Sequence, residues 1–382
     1  MNKKKLIRIT TVPLSLDKLL SGQLKYMNSF FDVTAIASEK EYLEKIGERE
    51  NVSIFHLEMS RKITPISDIK AVIKLYFFLK KEKAFIVHTH TPKAGIVGML
   101  AAKLAGVPNR FHTVAGLPLL ESVGLKRKLL DFVERLTYSC ATKVYPNSIG
   151  LLEIIKNNQY CPIDKLKVLA NGSSNGINTT FFSPEEFSDD KKNELKNKLN
   201  IKNDDFVFVF VGRIVADKGI NELMIAFDEF SKKNLNVKLL LVGPFETELD
   251  PLEDSTLEII SNNSSVISVG YQNDVRPYFA ISTVLVFPSY REGFPNVVMQ
   301  AGAMGLPCIV SNINGCNEII MEKHNGLIIP VKNSNAILEA FSVLYNDSLL
   351  FQQLKLNARS SIVSRYEQNV VWEALLNEYK KV

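Results

Sequence analysis

Cysteine, tryptophan and glycine-rich phosphate motifs are what this 382-residue sequence has least of. The four cysteines, Cys140, Cys161, Cys308 and Cys316, form no CxxC pair. That argues against a disulfide framework or a thiolate metal site, and they read as reduced cytosolic thiols. Neither GxGxxG nor GxxxxGK[ST] occurs, so nicotinamide-type dinucleotide binding and P-loop hydrolysis lose support. No DxD-type acid pair stands at a strand exit; Asp189-Asp190 lie in a polar connecting stretch. The pair His88 and His90 (HTH) has no nearby acid or cysteine and makes a poor metal site. No metal requirement and no cofactor are expected. Long apolar runs are missing too. MNKKK is basic, but LIRITTVPLSL is interrupted by Arg8 and two threonines, so it reads as a first strand rather than a secretory leader. Residues 293–317 carry no charge, yet they hold Pro295, Pro307, four glycines and several asparagines, unlike a spanning helix of roughly 20 apolar residues. No short repeat or low-complexity segment is evident.

What is present is ordinary globular composition, 46% hydrophobic and 23% charged, with length enough for two domains. The charge is divided unevenly. Residues 1–180 carry 27 Lys+Arg against 15 Asp+Glu, net +12; residues 181–382 carry 19 against 26, net −7, which together give the chain's +5. A basic first half suggests an anionic partner, such as a membrane surface, a phospho-substrate or nucleic acid. Within it, IKAVIKLYFFLKKEK (69–83) and LKRKLLDFVERL (125–136) set Leu and Phe beside Lys and Arg. Such helices can rest on anionic lipid, or simply pack with a solvated face.

Strand-like runs alternate with helix-like segments: KLIRITTV (5–12), FDVTAIA (31–37), NVSIFHL (51–57), AFIVHTH (84–90), RFHTV (110–114), ATKVYPN (141–147) and KLKVLAN (165–171). That is the βαβ rhythm of a parallel sheet. It breaks over the polar, turn-rich stretch 171–205 and restarts with DFVFVFVGR, VKLLLVG, SVISVGY, TVLVFPS, LPCIVSN and GLIIPV. The expected fold is α/β, with two doubly wound Rossmann-like domains, 1–180 and 181–366, facing a central cleft. Open parallel sheets bind ligands at the carboxyl ends of their strands.

Two stretches carry candidate chemistry. In VFVGRIVADKGINEL (209–223) a strand ends at Gly212, Arg213 follows, and Lys218-Gly219 open a helix. A guanidinium, an ammonium and helix amides suit a diphosphate; two solvated surface cations are the plainer reading. In TVLVFPSYREGFP the strand exit holds Glu292, followed by Gly293, Phe294 and Pro295. A carboxylate and free amides around 294–297 can grip sugar hydroxyls, one accepting and the other donating. Gln300 shares a helix face with Asn296 and Val297. Otherwise Glu292 is a helix-capping acid and Gln300 a satisfied core amide. The first loop places Ser21-Gly22 before a helix, where amides could meet diphosphate or acceptor, or simply form a βα turn. His88 and His90 alternate at a strand exit and could line an acceptor site.

Taken together, VGRIVADKGI, SVGYQNDVRPYFAISTVLVFPSYREGFP, VVMQAGAMGLPCIVSNINGCNEII and NGLIIP resemble retaining glycosyltransferases of family four, which have the GT-B fold. HTHTPKAGIVGMLAAKLAGVPNRFHTVAG and VLANGSSNGIN match more loosely and look like the branch that assembles polysaccharides on lipid-linked saccharides. The resemblance implies a nucleotide-sugar donor on the second domain, with the diphosphate at Arg213 and Lys218 and the donor sugar at Glu292. It puts Tyr271 near the base and the ribose at position 300, where the family's second acid is here Gln300. Gly22, Gly212, Gly293, Phe294, Asn296 and Val297 join the donor-site set. The family's histidine before a glycine falls on Ala115; whether His112, two residues nearer the strand's start, takes its place stays open. The closing helix, 367–382, with the single Trp372, is expected to pack back on the first domain.

A metal-free protein must itself stabilise the departing diphosphate as an oxocarbenium-like state forms, and preorganised donors do this. With Gln at 300, the 292/300 pair cannot supply two flanking carboxyls, and the retained stereochemistry that the resemblance implies then points to same-face attack with the departing phosphate as base. The activity that the resemblance implies is transfer of a hexosyl or N-acetylhexosaminyl unit from a UDP-linked donor to a polyprenyl-diphosphate-linked saccharide, in capsule or O-antigen-type synthesis. The enzyme would be cytoplasmic, peripheral at the inner face of the membrane, and would not bind nucleic acid. A nucleotide-sugar 2-epimerase on the same fold, or a non-catalytic member of an assembly complex, are the alternatives.

Overall fold

The computed structural model describes residues 3–382 except Pro118, Leu120, Glu121, Thr247 and Leu249. The chain divides into two compact units: Met1–Gly176 with Gln368–Val382, and Ile177–Glu367. Each is built around a six-stranded sheet whose pairings are all parallel.

In the first unit the strands are β1 (Lys5–Ile9), β2 (Asp32–Ala37), β3 (Ser53–His56), β4 (Ile86–Thr89), β5 (Asn109–Val114) and β6 (Lys143–Pro146), in the order β3-β2-β1-β4-β5-β6. In the second they are β7 (Phe206–Val211), β8 (Val237–Val242), β9 (Val266–Gly270), β10 (Val284–Phe287), β11 (Cys308–Ser311) and β12 (Gly326–Ile329), in the order β12-β11-β10-β7-β8-β9. Both sheets thus have the same doubly wound order, reversing beside β1 and β4 in one unit and beside β7 and β10 in the other. Such a reversal opens a crevice at the strands' carboxyl ends. The central strand β7, FVFVFV, shows why the sheet must be covered on both sides: Val207, Phe208, Val209 and Phe210 are all buried.

Two apolar clusters cover the two faces of the first sheet. One gathers Ile7, Ile9, Val87 and Tyr138. The other gathers Leu6, Val33, Ile86 and Phe111 with Leu375, Leu376 and Tyr379 of the closing helix Gln368–Lys380. All four cysteines are free and buried.

One expected strand is absent. KLKVLAN makes only an isolated bridge, Leu166 to Val144, and Lys167 N–H donates to the Val144 carbonyl at 3.1 Å. A 3-10 turn at Ile163–Lys165 precedes it, and Ala170 and Gly172 take positive φ, so no ladder can extend. The boundary between the units lies at Gly176/Ile177 rather than after 180.

Candidate active site

The second unit's reversal between β7 and β10 brings the two motif stretches together. The chain leaves β7 through Gly212, whose N–H donates to the Val242 carbonyl at 3.0 Å. The neighbouring exit from β8 crosses so closely that a Cβ on Gly243 would lie 1.7 Å from the Gly212 carbonyl oxygen. After a 3-10 turn at Ala216–Lys218, Gly219 caps the helix Ile220–Lys233 with φ +72°. A Cβ there would come within 2.2 Å of the Pro288 carbonyl oxygen. Only glycine lets the turn carrying Lys218 lie against the exit of β10.

Lys218 Nζ donates to Glu292 Oε1 at 2.6 Å. Ser289, fully buried, donates its hydroxyl to the same oxygen at 3.2 Å and lies 3.5 Å from Lys218 Nζ. Glu292 Oε2 has no hydrogen-bond partner among the described residues. The surrounding loop is braced by acids: Arg291 donates to Asp217 Oδ2 at 2.8 Å, Asp217 N–H to Asp250 Oδ2 at 2.6 Å, and the Tyr290 hydroxyl to Glu222 at 2.7 Å. Arg213 donates to Glu246 Oε2 at 2.7 Å, and this bond holds its guanidinium above its ordinary pKa. Ser289, Asp217, Glu246 and Asp250 were not candidates from sequence. Asp217 had a signal, standing next to Lys218; the others lie in stretches whose proximity depends on sheet order.

The helix Asn296–Ala303 begins one residue after Pro295, which is its N-cap rather than a first-turn residue. No side chain caps it, and the N–H groups of Gly293, Phe294, Asn296 and Val297 donate to no described residue. The Phe294 ring is buried against Tyr366, so only its backbone is open. Gln300 is half-buried on this helix, and its amide has no hydrogen-bond partner among the described residues. It is therefore not a satisfied core amide. Tyr271 follows β9, the edge strand, and is exposed. No hydrogen bond or ring contact among the described residues joins it to the pair at Lys218 and Glu292.

The first unit corrects four expectations. The Gly22 N–H, expected to be open, donates to Glu50 Oε1 at 3.0 Å, and a Cβ there would meet the Trp372 ring at 2.9 Å. His88 lies at the centre of a buried network: Nδ1 meets the Tyr379 hydroxyl at 2.5 Å and Nε2 the Thr113 hydroxyl at 2.8 Å, leaving neither nitrogen for an acceptor. His90 takes a hydrogen bond from Arg8 Nε at 3.1 Å. Its Nδ1 is buried without a partner beside a cavity of only about 10 Å³, room for about one water and not for a sugar. His112 points towards the helix layer, under Gly95, with Nδ1 2.7 Å from the Thr89 hydroxyl. Ala115 lies beyond the strand's end, so His112 does not stand where the missing histidine would. Burial holds the His88 and His90 imidazoles well below their ordinary pKa and brings His112 down to about 4. All three are neutral near pH 7.

Two doubly wound sheets of this order place the chain among the α/β proteins whose ligands lie at the reversal of strand order. Comparison with known proteins narrows the class. Residues 191–361 match the family described as glycosyl transferases group 1, and residues 25–172 the glycosyl transferase 4-like domain. The chain is 33% identical over 380 residues, 99% of its length and 97% of the other, to the capsular polysaccharide biosynthesis glycosyltransferase CapM of Staphylococcus aureus. It is 32% identical over 343 residues, 89% of its length and 86% of the other, to an Escherichia coli UDP-Gal:alpha-D-GlcNAc-diphosphoundecaprenol alpha-1,3-galactosyltransferase. Its fold matches Anabaena Alr3699/HepE, solved in complex with UDP, with a TM-score of 0.82 at 15% identity over 99% of this chain and 100% of that one. The chain belongs to the family-four glycosyltransferases of the GT-B fold and is a glycosyltransferase.

Proposed function

We propose that this glycosyltransferase moves a sugar from a UDP-linked donor to a saccharide carried on a polyprenyl diphosphate, in the assembly of a capsule or O-antigen-type polysaccharide, with retention at the anomeric carbon. The observation that carries the reading is the Lys218–Glu292 pair at 2.6 Å beside the open amides of 293–297. Cation, carboxylate and amides are the groups that a sugar diphosphate requires: charge for the leaving group, and acceptors and donors for the hydroxyls. The names of the capsular and galactosyl relatives support the acceptor and the UDP donor.

In this reading Lys218 and Arg213 take the diphosphate, the free Glu292 Oε2 accepts from donor-sugar hydroxyls, and the amides of Gly293, Phe294, Asn296 and Val297 donate to the sugar. Gln300 accepts from the ribose, more weakly than a carboxylate, and Tyr271 flanks the base. The bond from C1 to the β-phosphate oxygen breaks as Lys218 and Arg213 stabilise the leaving charge. The acceptor oxygen bonds C1 from the same face, and its proton passes to the departing phosphate. UDP leaves with that proton.

We further propose that the first unit rests on anionic lipid. Among the described residues no helix is long and apolar enough to cross a membrane. Yet helix Pro65–Glu82 exposes Ile66, Ile69, Ile73 and Phe77 at helical spacing, and helix Gly124–Cys140 exposes Leu125, Leu129 and Phe132. Both pack on helix Pro92–Leu104, and exposed Lys70, Lys74, Lys126 and Lys128 stand beside the stripes.

The test is incubation of the purified chain with UDP-sugars, with and without a polyprenyl-diphosphate saccharide, in EDTA. Elongation of the lipid-linked saccharide is expected. A donor converted to its epimer without acceptor, or a strict metal requirement, would contradict the reading.

A further inference from the structure

Cations stand near the proposed diphosphate site, but so do acids. Arg213, Lys218 and Arg291 are set against Asp217, Glu246, Asp250 and Glu292. A doubly negative diphosphate does not enter so acidic a field unless one carboxylate yields its cation. Their bonding shows which one can. Asp217 Oδ2 takes Arg291, and the Asp217 carbonyl takes the Tyr290 N–H at 2.9 Å. Asp250 holds the Asp217 N–H, and its carbonyl takes the Ala216 N–H. Glu292 is shared by Lys218 and Ser289. Among these ion pairs, only Glu246 and Arg213 are both well exposed, at 35% and 44%, against 17% for Asp217 and 15% and 19% for Lys218 and Glu292. It sits in the segment leaving β8, whose start is tied to the β7 exit by the Ile214 N–H to the Pro244 carbonyl at 2.8 Å.

We infer that Glu246 is an exchangeable counterion, holding Arg213 in the donor-free protein and giving it up to the donor's diphosphate. It would thereby set donor affinity without taking part in bond breaking. The inference rests on the reading of Arg213 as a diphosphate ligand, and the test separates the two. An exposed ion pair is worth about 0.2–1 kcal/mol, so releasing Arg213 in advance corresponds to a tightening of about 1.4- to 5-fold.

The experiment is calorimetric titration of wild type, Glu246→Gln, Glu246→Ala and Arg213→Ala with UDP and with uridine. Both Glu246 variants are expected to bind UDP more tightly, with uridine unchanged, and to lower KM for the donor with kcat unchanged. If Arg213→Ala weakens UDP while the Glu246 variants leave it unchanged or weaken it, the counterion role is overturned and the diphosphate reading stands. If Arg213→Ala also leaves UDP binding unchanged, the diphosphate reading of Arg213 fails and takes the inference with it. An equal gain for uridine would place the effect at the nucleoside and likewise overturn the counterion role.

Discussion

Replacing Lys218 by alanine should do two separable things. Its ammonium lies 2.6 Å from Glu292 Oε1, and the two side chains are only 15% and 19% exposed. Removing one partner leaves a largely buried carboxylate with the Ser289 hydroxyl and no countercharge. Fully buried pairs lose about 3–5 kcal/mol this way and surface pairs about 0–1, so this intermediate pair should lose about 1–3 kcal/mol of stability. The second effect is on turnover. Loss of a preorganised donor to the departing diphosphate costs about 2.7–4 kcal/mol in the transition state, about 10²- to 10³-fold. A second change, Glu292→Gln in the Lys218→Ala background, tells the effects apart. It removes the stranded charge and should restore most of the lost stability, but turnover should stay low. The assays are denaturant unfolding for stability and UDP release at saturating donor and acceptor for turnover. Near-normal turnover in Lys218→Ala, or recovery of turnover together with stability in the double variant, would refute the catalytic reasoning.

Gln300→Ala should weaken UDP binding and Gln300→Glu should retain or improve it, read by calorimetry; indifference to both would remove Gln300 from the donor site. Buried groups should shape the acid response of the first unit. His88, His90 and His112 have depressed folded-state pKa values, so the stability they contribute is full above about 6.5, the ordinary histidine value, and is lost as pH falls towards 4. Glu134 runs the other way, because burial raises its pKa from 4.5 to about 7 and its contribution fades as pH rises through 7. Glu134→Gln should therefore stabilise at pH 8, by up to about 3 kcal/mol, and be neutral at pH 4, as melting curves at the two pH values would show. Phe77→Asp and Leu125→Asp should each reduce cosedimentation with phosphatidylglycerol vesicles without changing UDP affinity; unchanged sedimentation would dismiss the lipid-facing surface.

The strands of both sheets were legible because parallel, doubly covered strands read as apolar runs, as FVFVFV does. KLKVLAN was misread because its composition matches a strand while the backbone at Ala170 turns through a positive φ. Arg213, Lys218 and Glu292 could be named singly from their motifs. That Lys218 and Glu292 touch follows only from β7 and β10 being neighbours, a fact of topology. The histidines failed for a related reason. Alternation put His88 and His90 on one face, as expected, but Tyr379, 291 residues further along, covers that face. Arg8, met first as an interruption in an apolar run, proves to be fully buried, with His90, Tyr379 and Gln23 around it. Glu246 carried no signal, being one acid in an acidic half.

The pair at Lys218 and Glu292 is proposed to serve transfer from a nucleotide sugar to a lipid-linked saccharide. Mass spectrometry of a polyprenyl-diphosphate saccharide, after incubation with UDP-sugars and either wild type or Lys218→Ala, tests it most directly. One sugar residue should be added by the wild type from one of the UDP-sugars, and the same product should form far more slowly with the variant. No addition from any UDP-sugar, or equal addition by both proteins, would contradict it.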